Sequence, residues 1–168
     1  QLEAIFENGA RVVGESKIYH FKKEQDCRIS RVALIPERPA PLPAALEAIR
    51  DADLILLAPG SLYTSIIPNL LVDGIVKAIR ESDALKVYVC NVVHWEPGLL
   101  DLCLANSAPV HPGLVETYRV EDAAPLTVDR ERVAAMGLEL EERPLASDKG
   151  DFARHDPDKL AAALLEIY

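Results

Sequence analysis

The chain has 168 residues, 49% of them hydrophobic and only 5% aromatic, with a formal net charge of −9 and a pI near 4.9. That length and apolar share suit one globular domain whose core is built from Leu, Ile, Val and Ala. An acidic balance with no Lys/Arg stripe among aromatics argues against a nucleic-acid or anionic-membrane surface, and no apolar run is long enough for a membrane span.

In chain order, Leu2–Phe6 and Arg11–Val13 are strand-like runs flanking Asn8-Gly9, which predicts a hairpin. A chain that opens at Gln1 and enters a hairpin at once reads as a fragment. Arg31–Ile35 is a short strand, and the prolines of Pro36–Pro43 make a stiff connection rather than a domain linker. Pro43 suits the first turn of a helix running to about Arg50, with Leu46 and Ile49 inward. Asp53–Ala58 follows as a strand, and its run Leu54–Leu57 does not alternate, which predicts burial on both faces.

Pro59 and Gly60 stop that strand. Four hydroxyl residues then lie within five positions, Ser61, Tyr63, Thr64 and Ser65. They precede an amphipathic helix, about Pro68–Ser82, with Leu71, Ile75 and Ile79 on one face and Gly74 tolerated within it. Thr64 and Ser65 could simply cap that helix. Alternatively, Gly60 permits close backbone approach and the segment places amides and hydroxyls where open parallel sheets bind phosphorylated ligands. The expectation adopted is a ligand-binding role for Gly60, Ser61, Tyr63, Thr64 and Ser65.

Lys86–Val93 is a second buried strand, and Leu99–Ala105 a third, ending in Asn106. Asn91 must find polar partners in such a run, either bridging two loops or facing a ligand crevice. A helix near Gly113–Arg119, a strand Pro125–Val128, a helix Arg130–Met136, a strand Leu138–Arg143 and a last helix Asp156–Tyr168 complete the pattern. Tyr118 is either packing or a surface for stacking on a nucleobase. Asp156 and Pro157 make a sound helix start, but Arg154 just ahead of it opposes the helix dipole. Either Asp151 or Asp156 pairs with Arg154, or an anion is held jointly by Arg154 and the helix terminus. Both segments are expected to face one cleft.

Cys27, Cys90 and Cys103 are odd in number, with no C-x-x-C pair, and read as buried reduced thiols in a cytoplasmic protein with no metal site. Cys90, Trp95, His20 and His111 have no partner at a diagnostic spacing, and His155 reads as structural. No Ser/His/Asp order, H-E-x-x-H or Walker lysine is present. Strands alternating with helices predict an α/β fold, a mostly parallel sheet with helices on both faces, plus the N-terminal hairpin at a sheet edge or in a small lobe.

Four stretches, Ala58–Val72 (Ala-Pro-Gly-Ser-Leu-Tyr-Thr-Ser-Ile-Ile-Pro-Asn-Leu-Leu-Val), Lys86–Val92, Gly14–Ile18 and Arg154–Leu160, together resemble the YvcK group of the CofD-like superfamily. The resemblance runs in order over nearly the whole chain. It implies a Rossmann-like cytoplasmic protein that binds UDP-sugars such as UDP-N-acetylglucosamine and is linked to cell shape and growth on gluconeogenic carbon sources. It also implies that Tyr118 lies near the base and Arg154 near the phosphates. The related transferase branch implies an alternative, movement of a phospholactyl group from a guanine nucleotide donor with Mg2+. The leading expectation is a binding protein without turnover; a homo-oligomer is compatible with it. Two departures stand out. The family's Gly-Gly-Gly-Thr-Gly-like phosphate loop is absent, and Val93 runs straight into His94, where the family carries a Thr-Gln-Pro-Gly-Glu-Thr-like loop and a helix. The chain is therefore read as a single CofD-like domain, residues 1–168, lacking those two parts.

Overall fold

A computed structural model describes residues 1–90, 99–119, 127–147 and 154–168, with only the backbone for 116–119. The chain forms two compact units, Gln1–Asp53 with Gly60–Ala84, and Leu54–Pro59 with Leu85–Tyr168.

In the first unit, Asn8-Gly9 turns the chain as the sequence predicts. Gly9 takes φ +82, a backbone that side chains resist, and Asn8 Oδ1 accepts from the Ala10 amide at 3.0 Å. The turn sets β1 (Leu2–Phe6) antiparallel to β2 (Arg11–Val13). On its other side β1 pairs antiparallel with β3 (Ile29–Leu34), giving a three-stranded sheet of its own, ordered β2-β1-β3. Between β2 and β3 lies α1 (Glu15–Gln25), which the sequence reading did not anticipate. Its Ile18 packs with Ala4, Phe6 and Val32, and the Phe21 ring tilts against Phe6 at 4.6 Å between centroids.

Helix α2 (Pro43–Arg50) begins at its proline as expected. The single helix expected over Pro68–Ser82 is broken. A π-helical turn over Leu62–Ile66 runs into the short α3 (Ile67–Leu70), and α4 (Ile75–Glu81) starts afresh at an angle of 75°. The break is at Gly74, whose φ of +77 leaves the right-handed helix. Gly74 is thus the residue before α4 rather than a tolerated interior glycine. At the far end, Ser82 Oγ donates to the Ile49 carbonyl at 3.0 Å and fastens α4 to the end of α2.

The second unit is a four-stranded parallel sheet, ordered β4-β5-β6-β7, flanked by helices: β4 (Leu54–Leu57), β5 (Leu85–Val89), β6 (Leu102–Asn106) and β7 (Glu139–Arg143). The central strands are buried as their unbroken apolar runs predict; Val87, Val89 and Leu104 are 0% exposed. On one face Val87, Val89, Leu102 and Leu104 pack with Leu145 and with Ala163 of α7 (Pro157–Ile167). Strand β4 departs from expectation. It pairs with β5 alone among the described residues, and Leu56 is 37% exposed, so an apolar run here marks an edge strand. Helices α5 (Pro112–Arg119) and α6 (Arg130–Ala135) lie where the sequence places them. Asp129 caps α6 by accepting from the Arg132 amide at 3.0 Å. The strand expected over Pro125–Val128 is not formed by Thr127 and Val128, and its first two residues lie outside the described residues.

Leu104 is 0% exposed and packs in the second unit's core with Val87, Val89, Leu102, Leu145 and Ala163. Leu104→Ala should lower the unfolding free energy by about 2–5 kcal/mol, measured by chemical denaturation against the native chain. A loss below about 1 kcal/mol would mean that the core closes over the site.

Candidate functional site

The hydroxyl-rich segment lies in the first unit. Gly60 is followed by an extended Ser61, after which the chain turns directly into the π-helical turn. Two successive amides, Ser65 and Ile66, donate to the same Ser61 carbonyl at 2.9 and 3.1 Å, which widens the turn. Thr64 and Ser65 therefore lie inside the helical turn and do not cap the following helix, the simple role considered from sequence. The Ser61, Tyr63, Thr64 and Ser65 hydroxyls make no hydrogen bond with the described residues. Ser61 and Ser65 are exposed, whereas the Tyr63 ring packs on the first unit's core beside Ile67 and Leu71. Gly60 matters because a Cβ there would stand 3.2 Å from Ser65 Cβ, so its close approach is to this turn itself.

The Arg154 segment lies in the second unit, where it is one side of a two-stranded strap. The Arg154 carbonyl accepts from Ser147 N at 2.9 Å, Asp156 N donates to the Leu145 carbonyl at 2.7 Å, and Ala146 and His155 form an antiparallel bridge between them. Asp156 Oδ1 then caps α7 by accepting from Asp158 N at 3.0 Å and Lys159 N at 3.1 Å. Pro157 has no amide hydrogen, and Leu160 N donates to the Asp156 carbonyl at 2.9 Å. All the first-turn amides of α7 are thereby engaged. Joint anion binding by Arg154 and the helix terminus would have to displace these bonds. The Arg154 side chain stands exposed at this end of the molecule.

The anchor of the strap escaped the sequence reading. Strand β6 ends in Asn106, whose Oδ1 accepts from Leu145 N and Ala146 N, both at 2.9 Å, and from Ala108 N at 3.1 Å. Its Nδ2 donates to the Ala108 carbonyl at 2.8 Å. A polar residue closing an otherwise apolar strand, Leu-Cys-Leu-Ala-Asn, was the available signal.

Of the remaining candidates, Asn91 and Trp95 lie outside the described residues. Tyr118 is placed on α5 by its backbone, and its side chain lies outside the described residues. Cys90, directly after β5, and Cys103 of β6 are buried free thiols, as expected. The two thiols act on each other's titration, a coupling that sequence spacing did not reveal. The neighbouring Cys103 side chain first, and burial second, push the Cys90 thiol up from its ordinary range. His111 is structural, with Nδ1 accepting from Gly113 N at 3.2 Å at the start of α5. Among the described residues no group of three His, Cys, Asp or Glu could hold a metal ion, and no single helix is long and apolar enough to cross a membrane.

Half-buried in the strap, His155 titrates below its ordinary value of 6.5 because burial disfavours the imidazolium. The unfolded chain therefore binds that proton more readily than the folded one. The stability due to neutral His155 is complete above about pH 6.5 and is lost as the pH falls below it. Thermal melts between about pH 8 and pH 5 should show the native chain losing more stability on acidification than His155→Gln. Parallel pH profiles for the two would place the titrating group elsewhere.

Comparison with known proteins agrees with this architecture. The family model described as 2-phospho-L-lactate transferase CofD matches residues 1–146. The chain is 38% identical over 186 residues to the gluconeogenesis factor of Bacillus subtilis (strain 168), an alignment covering 99% of the chain and 57% of that relative. It is 37% identical over 185 residues to the gluconeogenesis factor of Halalkalibacterium halodurans, covering 98% of the chain and 56% of the relative. A crystal structure from Bacillus halodurans, described as a member of the UPF0052 family, superposes with a TM-score of 0.86 at 35% identity. That superposition covers 98% of this chain and 58% of the other. The chain thus spans little more than half the length of these relatives. With its parallel sheet, its order of elements and its close relatives all concordant, the chain belongs to the CofD family.

Proposed function

We propose that this chain contributes the nucleotide-sugar site of a cytoplasmic gluconeogenesis factor, one that binds a UDP-sugar such as UDP-N-acetylglucosamine without turnover and serves cell-shape control on gluconeogenic carbon sources. The reading is supported by two relatives named gluconeogenesis factor. The observation that carries it is the seat of Arg154. An exposed guanidinium is fixed by its backbone two residues ahead of a helix whose own amides are all engaged. A guanidinium presented in this way suits the charge-assisted hydrogen bonds that a phosphate accepts.

In this proposal Arg154 contacts the diphosphate, Tyr118 stacks on the base and Asn91 is a further ligand-binding residue. Gly60, Ser61, Tyr63, Thr64 and Ser65 form a further ligand-binding segment, supported by the hydroxyls that make no bond to described residues. The second reading, a transferase moving a phospholactyl group from a guanine nucleotide donor, is favoured by the description of the matching family model. The Mg2+ it needs would be held by carboxylates. Such a donor set is not found among the described residues.

Titration calorimetry with UDP-N-acetylglucosamine and with GDP, each with and without Mg2+, separates the two. Metal-independent uridine binding is expected; metal-dependent guanine binding in its place would favour the transferase. Arg154→Ala should weaken UDP-sugar affinity by about 1.5–3 kcal/mol, the worth of a hydrogen bond to a charged group. Unchanged affinity would remove Arg154 from the site.

A further inference from the structure

We propose that Asn106 is the positioning residue for Arg154, an inference that rests on the nucleotide-sugar reading above and names the device that presents the guanidinium. The structural chain is short and lies wholly within the second unit. Strands β6 and β7 are paired as far as Asn106↔Arg143, and Ser107 N donates to the Arg143 carbonyl at 2.8 Å. The next residue, Pro144, has no amide to continue the ladder. The two amides after it, Leu145 and Ala146, turn instead to the side-chain oxygen of Asn106 at 2.9 Å each. One carboxamide thus takes over where backbone pairing stops.

The segment that Asn106 holds is the one on which Arg154 is laid. The Leu145 carbonyl accepts from Asp156 N at 2.7 Å, and Ser147 N donates to the carbonyl of Arg154 itself at 2.9 Å. Lys159 Nζ donates to the Ala146 carbonyl at 3.0 Å, binding the strap to the first turn of α7. Leu145, 1% exposed, anchors the same segment in the core. Core packing fixes where the strap sits. The Asn106 acceptor fixes the orientation of its peptide planes, and hence the line along which Arg154 leaves the backbone. A carbonyl oxygen with three donors is saturated, and an apolar replacement leaves the amides of Leu145, Ala146 and Ala108 without their acceptor.

A double-mutant cycle on UDP-N-acetylglucosamine affinity tests this. Asn106→Ala should weaken binding about 10-fold or more in the native background, and less than about 3-fold when added to Arg154→Ala. A residue that acted independently of Arg154 would instead impose its full loss in both backgrounds. Asn106→Asp keeps an acceptor for the three amides and should restore affinity to within about 3-fold. Should Asn106→Ala not fold, Asn106→Ser, too short to reach the strap, takes its place in the cycle. Additive losses in the cycle, or failure of Asn106→Asp to recover binding while melting as the native chain does, would overturn the proposal. If Arg154→Ala alone leaves the affinity unchanged, the nucleotide-sugar reading of Arg154 fails first and this inference with it, a result distinct from additivity.

Discussion

Because Val87, Val89 and Leu104 expose no surface, β5 and β6 are stable only where both faces are covered, and their parallel register decides which side chains serve each face. The pairings Val87↔Leu102 and Val89↔Leu104 put four aliphatic residues against Leu145 and α7. The intervening pairing Tyr88↔Cys103 turns the ring, both thiols and Ala105 to the other face. A slip of one residue would exchange the two sets. The strap and α7 depend on this register, because the face that receives Leu145 also seats Ala163. The strap that carries Arg154 is thus held in place by aliphatic packing several residues away.

Features encoded by local chemistry were readable in the sequence. Asn8-Gly9, Pro43, and the pair Asp156-Pro157 act on their immediate neighbours, and each turn or helix start falls where those residues place it. Helix α1 left little trace: Glu-Ser-Lys-Ile-Tyr-His-Phe-Lys-Lys-Glu-Gln is polar, its start at Gly14 has no side-chain acceptor, and only Ile18 is buried. The break at Gly74 was missed for a related reason. The apolar spacing of Leu71, Ile75 and Ile79 mimics one continuous helix, and a positive φ leaves that spacing untouched. In β4 the four apolar residues suggested burial on both sides, although an edge strand can be equally apolar.

For the candidate segments the limit is partnership rather than position. Sequence could mark Ser61–Ser65 and Arg154, since hydroxyls after a strand and a cation before a helix are anomalies visible in one dimension. It could not connect Asn106 to Leu145 and Ala146, 39 and 40 residues away. The thiol pair is similar: Cys90 and Cys103 acquire each other only through strand pairing.

The path of the chain between its two units has a practical corollary. It passes out of the first unit after Asp53, re-enters at Gly60 and leaves finally after Ala84, so β4 lies within a six-residue excursion, Leu54–Pro59, into the second unit. No single proteolytic nick can liberate either unit intact. Scission between Ala84 and Leu85 would strand β4 on the amino-terminal piece and leave β5 as a raw sheet border on the other. Expressed separately, the two pieces should recover the native sheet only by recombining, which makes complementation of split halves an innate property of this topology.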